Sequence, residues 1–143
     1  MADESRPVRN RNPLDLRTLP PPEKWAGQSG EDDAPGGPFA VFLTVPEGWR
    51  AACVNLLTYQ DKHGLRTVRG LIDRWAPDKE NDTSAYQLSV SEQTGFGLDQ
   101  EIDLHDGPTM LKLVTAMAHV EDSSAVWNQD QKLAGLRLAG LIV

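Results

Sequence analysis

Cysteine is almost absent from this chain, which has 143 residues and a single cysteine, Cys53. One thiol cannot form a disulfide within the chain, so the fold must depend on packing rather than on covalent cross-links. Cys53 shares a predicted helical face with Trp49 and Leu56. A small buried hydrophobic side chain is therefore a better interpretation of Cys53 than a nucleophile.

Sequence signals for metal, cofactor and nucleotide chemistry are also missing. The chain has no Cys-x-x-Cys pair, and its three histidines, His63, His105 and His119, do not show the spacing of a zinc site. It contains neither a glycine-rich phosphate loop nor a nucleophile elbow. We therefore expect no metal and no cofactor, while a Ser-His-Asp or Cys-His triad stays open at this stage.

Long apolar runs and positive charge are scarce. No apolar run approaches the roughly 20 residues of a membrane-spanning helix, and the N-terminus lacks the apolar core of a signal peptide, so we expect neither a membrane span nor general secretion. Acidic residues outnumber basic residues by 21 to 14, which disfavours a nucleic-acid-binding surface. One basic cluster, interpreted as a solvated or partner-bound arm, contains Arg6, Arg9, Arg11 and Arg17.

Turn-forming residues divide the chain into an arm and a helical domain. Residues 1–38 are rich in proline and glycine and predict an irregular arm, whose segment 9–27 we expect to pack against a domain of residues 39–143. The apolar run Phe39–Phe42 predicts a short strand. The expected fold is mainly α, a compact single domain of about five helices. Apolar residues at helical spacing place these helices at 47–62, 68–75, 84–94, 108–120 and 129–139.

Among the carboxylates, Glu121 stands out because it ends an apolar helix just before a polar stretch. A carboxyl group there is half shielded by the core and can open on a groove. Such shielding raises the pKa of a carboxyl group and allows it to donate a proton near neutral pH. An ordinary solvated acid at a helix end is the more frequent case, so composition and spacing alone do not favour catalysis.

Several short motifs between about residue 8 and residue 141 are too specific to be ordinary helix or loop sequence. Trp75-Ala-Pro77 is followed by Glu80-Asn81, Thr83 and Tyr86. The other motifs are Arg9-Asn-Arg-Asn-Pro-Leu-Asp-Leu-Arg17, Trp25-Ala-Gly27, Phe39-Ala-Val-Phe42, Gly48-Trp-Arg-Ala51 and Gly135-Leu-Arg-Leu-Ala-Gly140. In this order they resemble a family of small bacteriophage virion proteins, usually called structural proteins, with a lysozyme-like pattern.

The resemblance implies a lysozyme-like fold in a circularly permuted arrangement. Bacterial cell-wall glucosaminidases carry similar motifs, but their catalytic helix comes first, whereas here the corresponding helix would come near the end of the chain. Two places depart from the family pattern. Leu14-Asp15 replaces Gly-Asn, and Val120-Glu121-Asp122-Ser123 replaces His-Glu-Asn-Gly.

The resemblance also implies site residues. Glu121 would be the acid that protonates a glycosidic oxygen, and Asp15 the second carboxylate, with Asp61 in reserve. The acetamido group of the substrate could replace a second carboxylate. Asn12, Arg17 and Trp25 would bind the sugar chain, with Trp25 stacking on a sugar face, whereas Trp49 and Trp75 are expected in the core.

Two functions follow from the resemblance. The first is a virion-associated enzyme, a glycoside hydrolase or lytic transglycosylase, that cleaves peptidoglycan in the host periplasm during infection. The second is an inactive capsid or tail component that uses the same fold for contacts with other virion proteins or with copies of itself. A regulatory or DNA-binding helical domain is disfavoured by the acidic balance of the chain.

Overall fold

The computed structural model describes residues 4–78 and 82–143, and the motif residues Glu80 and Asn81 lie outside these ranges. The mainly α single domain predicted from the sequence is confirmed. Within these ranges, no helix combines the length and the hydropathy of a membrane-spanning segment. The helices are α1 (Arg6–Arg9), α2 (Val45–His63), α3 (Val68–Trp75), α4 (Thr83–Thr94), α5 (Gly107–Glu121) and α6 (Gln129–Leu138), and the strands are β1 (Gln28–Asp32) and β2 (Phe39–Phe42).

Local capping explains where the helices begin and end. A side-chain oxygen before each of α2 to α6 accepts a hydrogen bond from the backbone N–H three residues later, which satisfies a free amide of the first turn. Gly64 ends α2 with a φ of 66°, a left-handed conformation that glycine adopts without steric penalty. The capping residues are Thr44, Thr67, Asp82, Asp106 and Asn128.

Helix α2 lies at the centre of the fold and packs closely against α6. A side chain at Gly135 of α6 would place its Cβ 2.5 Å from Cβ of Trp49 and 2.6 Å from the carbonyl oxygen of Pro46. The two helices can therefore approach this closely only because α6 has no side chain at this point. Trp49 itself is fully buried, which confirms the prediction that it belongs to the core.

The N-terminal segment is more regular than the sequence predicted. It contains α1, and β1 pairs with β2 in an antiparallel two-stranded sheet, so the prediction of an irregular arm over residues 1–38 is wrong for these elements. Leu14 and Leu16 are buried in the same core as α2. These two leucines supply the apolar contacts that a proline- and glycine-rich composition does not reveal.

Gly48 permits the close contact between α2 and this N-terminal segment. A Cβ built on Gly48 would lie 1.8 Å from the carbonyl oxygen of Arg11, which is a backbone atom and cannot rotate away. Arg11 has a φ of 53°, so its backbone has little freedom to adjust.

We predict that Gly48→Ala lowers the free energy of unfolding by about 1–3 kcal/mol, because the added methyl group forces the segment at Arg11 away from α2. Urea unfolding followed by circular dichroism measures this change. Gly97→Ala is the matched control, since a Cβ there meets only ordinary contacts starting at 3.6 Å. Equal stabilities of the two variants would contradict the assigned contact.

Candidate functional site

The carboxyl group of Glu121 lies at the C-terminal end of α5, where side chains from two other helices meet it. The hydroxyl of Tyr86 on α4 donates a hydrogen bond of 2.7 Å to Oε2 of Glu121. The indole Nε1 of Trp75, at the end of α3, lies 3.3 Å from the same oxygen and 3.2 Å from the Tyr86 hydroxyl. One carboxyl oxygen is therefore held by donors from two separate helices.

Shielding from water dominates the electrostatics of Glu121. Burial raises the pKa of this carboxyl group, and the negative charge of Asp15 acts in the same direction. The hydrogen bonds from Tyr86 and Trp75 and the positive charge of Arg6 lower the pKa, but they do not cancel the effect of burial. Burial and the adjacent Glu121 also raise the pKa of Tyr86, so its phenol stays protonated and able to donate.

Glu121 opens on a cleft of about 900 Å³. The N-terminal segment forms one part of its lining, and α2, α3 and the end of α5 form the rest. The polar and aromatic side chains of the lining are Arg6, Asp15, Arg17, Trp25, Phe39, Asn55, Tyr59, Arg74, Trp75 and Glu121. A volume of this size is in the range of clefts that bind small ligands or a short stretch of a polymer.

Asp15 is held in this cleft by Arg6. Arg6 Nη2 lies 2.6 Å from Oδ2 of Asp15, and Nε donates to both carboxylate oxygens at 3.0 Å. The guanidinium of Arg6 also stacks on Phe39, with its Cζ atom 3.8 Å from the ring centroid. This two-point ion pair fixes the orientation of the Asp15 carboxylate.

No protein-family model matches the chain. Protein P5 of Pseudoalteromonas phage PM2 is 33% identical to it over 130 residues, which cover 90% of this chain and 78% of that protein. The chain belongs to the family of this phage protein. This confirms the expectation from the motifs that the chain belongs to a bacteriophage protein family. The lysozyme-like pattern stays a prediction.

In the present chain, Arg17 and Trp25 both line the cleft. Trp25 Nε1 donates a hydrogen bond of 3.0 Å to the carbonyl oxygen of Arg17, and Arg17 Nε donates to the carbonyl oxygen of Gly36 at 2.7 Å. These bonds position the two side chains at the edge of the cleft while leaving the indole ring partly exposed.

Asn12, expected to bind substrate, is fully buried and lies outside the cleft lining. Its Nδ2 donates to the carbonyl oxygens of Leu16 and Ala40, and its Oδ1 accepts from the amide of Leu16, each at 2.9 Å. The expected contact between Asn12 and a sugar is therefore replaced by a structural role, because its polar atoms already hold the loop that carries Asp15.

Asp61, the reserve candidate for a second carboxylate, also lies elsewhere. Its side chain is exposed and lies 2.8 Å from Nε2 of His105, and neither residue lines the cleft. Cys53 is a buried free thiol whose pKa burial raises to about 12, which confirms its assignment to the core. The described ranges contain no cluster of three potential metal-ligating side chains.

Two features of this site differ from what the sequence predicted. Trp75 was expected in the core, but it is only half-buried, lines the cleft and contacts Glu121. Arg6 was assigned to a solvated or partner-bound arm, but it forms an ion pair with Asp15 in the cleft. The spacing of Trp75 and Tyr86 in one motif was a usable signal, whereas nothing in the sequence pairs Arg6 with Asp15.

We predict that wild-type protein loses stability relative to Glu121→Gln as pH rises from about 4 to about 7. The folded-state pKa of Glu121 is raised, so folding favours the protonated carboxyl group. Wild type is then most stable, relative to the variant, below the ordinary glutamate pKa of about 4.3, and this advantage falls as pH passes through the raised pKa.

Urea unfolding at several pH values measures this difference. Glu92→Gln, which removes an exposed carboxyl group on α4, is the matched control for the loss of one charge. The same pH dependence in both variants would show that the environment of Glu121 is not special.

Proposed function

We propose that this phage protein is a virion component that cleaves the glycan strands of host peptidoglycan, with Glu121 as the general acid. The observation that carries the proposal is the carboxyl group of Glu121, which is shielded from water, has a raised pKa and faces a cleft. A general acid must be protonated near neutral pH and accessible to substrate, and this combination supports both requirements.

The proposed mechanism begins with a glycan strand lying in the cleft beside Glu121. Glu121 donates its proton to the glycosidic oxygen, and the bond between that oxygen and the anomeric carbon breaks while positive charge develops on the sugar ring. Tyr86 and Trp75 hold Oε2, so the other carboxyl oxygen, Oε1, is the one we assign to proton transfer.

A negatively charged or nucleophilic group must stabilise the positive charge that develops on the sugar ring. Asp15 lines the same cleft and, because Arg6 binds both of its oxygens, we assign it to electrostatic stabilisation rather than to nucleophilic attack. Direct attack of water on the anomeric carbon completes a hydrolysis. Attack by the acetamido oxygen of the substrate instead forms an oxazolinium ring, which water opens in a hydrolase and the C6 hydroxyl of the same sugar opens in a lytic transglycosylase.

Trp25 and Arg17 are the proposed sugar-contacting residues. A partly exposed indole offers an apolar face on which a sugar ring can stack. The lysozyme-like, circularly permuted arrangement is part of the same proposal. It is supported by the order of the motifs and by the cleft between the segment that contains Asp15 and the end of α5.

The test is release of soluble fragments from purified peptidoglycan, followed by turbidity loss and mass spectrometry. We predict that Glu121→Gln lowers the rate by about 10²–10⁴-fold, because the amide cannot donate the proton. Glu92→Gln on the exposed face of α4 should leave the rate within about twofold. An active Glu121→Gln variant, or an inactive wild type with native stability, would reject the enzymatic proposal.

A second function is supported by a different observation. Large apolar side chains are exposed at Leu43, Val126 and Ile142, with Val126 at 96% and Ile142 at 90% exposure. Covering an exposed apolar side chain with a neighbouring subunit is favourable, so each of these positions is a candidate for a contact between virion subunits. Absence of peptidoglycan cleavage, together with regular positions of this protein in purified particles, would favour a purely structural role in the capsid or tail.

A further inference from the structure

Arginines line the cleft although the protein carries a net charge of −7. Arg6 is bound by Asp15, and Arg17 donates to the carbonyl oxygen of Gly36. Arg74, on α3, forms no ion pair with any carboxylate in the part of the chain that the structure describes. Its side chain is exposed, so its donors remain open to a ligand.

Arg74 is positioned by an aromatic ring. Its Cζ atom lies 5.3 Å from the centroid of the Tyr59 ring on α2, and both residues line the cleft. A guanidinium group that stacks on a ring keeps its N–H donors along its edge, where a planar carboxylate can accept two hydrogen bonds. Stacking also restricts the side chain in advance, which reduces the entropy lost on binding.

A second hydrogen-bond donor in the cleft is Asn55, which lies one helical turn before Tyr59 on the same face of α2. Asn55 precedes Tyr59 by four residues and also lines the cleft, and its Nδ2 atom is buried with no hydrogen-bond partner among the described residues. A buried donor without a partner is unfavourable unless a ligand or water satisfies it. We call this part of the cleft lining the α2 wall. It consists of Asn55 and Tyr59 on α2 together with Arg74, which reaches Tyr59 from α3.

We propose that the α2 wall is a subsite for acidic glycan, in which Arg74 pairs with a carboxylate of the bound strand. The proposal rests on the proposed function, in which this cleft binds a glycan strand. Trp75, the next residue in the chain, contacts Glu121. The carboxylate that Arg74 binds therefore lies on, or is attached through a peptide to, a sugar close to the bond that is cleaved, and neutral strands lack this contact.

Peptidoglycan carries two kinds of carboxylate that can pair with Arg74. One is the lactyl carboxylate on the sugar, which is free only where the stem peptide has been removed, and the other belongs to the stem peptide. Three ligands distinguish them: strands freed of peptide by an amidase, strands that keep their peptides, and neutral chitin oligosaccharides of similar length.

The experiment measures equilibrium binding by isothermal titration calorimetry in the Glu121→Gln background, which prevents cleavage during the titration. We expect Arg74→Gln, added to this background, to weaken binding of at least one acidic strand by about tenfold or more, since it removes a charge-assisted contact. Binding of chitin oligosaccharides should change by less than about twofold. Arg66→Gln, an exposed arginine outside the cleft lining, is the control for the loss of one positive charge.

The ligand affected by Arg74→Gln identifies which carboxylate is bound. An equal loss for acidic and neutral strands, an equal effect of Arg66→Gln, or no binding of any strand would overturn the subsite. Because binding is measured without catalysis, a wild type that binds acidic strands through Arg74 but releases no fragments would reject the enzymatic function while retaining the subsite. Thermal unfolding of each variant excludes loss of fold as the cause.

Discussion

The candidate site depends on the burial of the Glu121 carboxyl group. Burial disfavours its ionised form, and the hydrogen bonds from Tyr86 and Trp75 offset this only in part. The environment requires three helices to meet, because α5 carries the acid and α3 and α4 carry the donors. Packing of these helices therefore sets the chemistry of one side chain.

The N-terminal segment completes the other side of the same site. The hydroxyl of Ser5 donates a hydrogen bond to the carboxylate of Asp122, the residue after Glu121, and Arg6 holds Asp15. Asn12 is buried in the core and holds the loop that carries Asp15 through hydrogen bonds to the backbone of Leu16 and Ala40. The charges near Glu121 therefore depend on contacts far apart in the sequence, and the close approach at Gly48 is what allows this segment to reach the core.

The helices could be predicted from the sequence because their signals are local. Helix α3 spans the predicted residues 68–75, and each of the other four predicted helices begins and ends within two residues of its predicted bounds. Strand β1 was not predicted, because Gln28–Asp32 is polar and carries no alternation of apolar residues. Its strand conformation comes from pairing with β2, which is a tertiary effect.

The candidate site was only partly predictable for the same reason. Glu121 was noticed because it ends an apolar helix, which is a local pattern. The ion pair of Arg6 with Asp15 depends on a loop in which Asp15 adopts a φ of 53°, and no pattern of spacing reveals that conformation. The sugar contact expected of Asn12 came from the family resemblance, and no pattern in the sequence shows that its amide is hydrogen-bonded to the backbone of Leu16 and Ala40.

The burial of Cys53 has a practical consequence. Its thiol is enclosed in the core and resists deprotonation, so it is a poor target for alkylating reagents at neutral pH. A cysteine introduced on the rim of the cleft would then be the single reactive thiol of the folded chain. A fluorescent dye attached there could follow ligand binding without first removing the native cysteine.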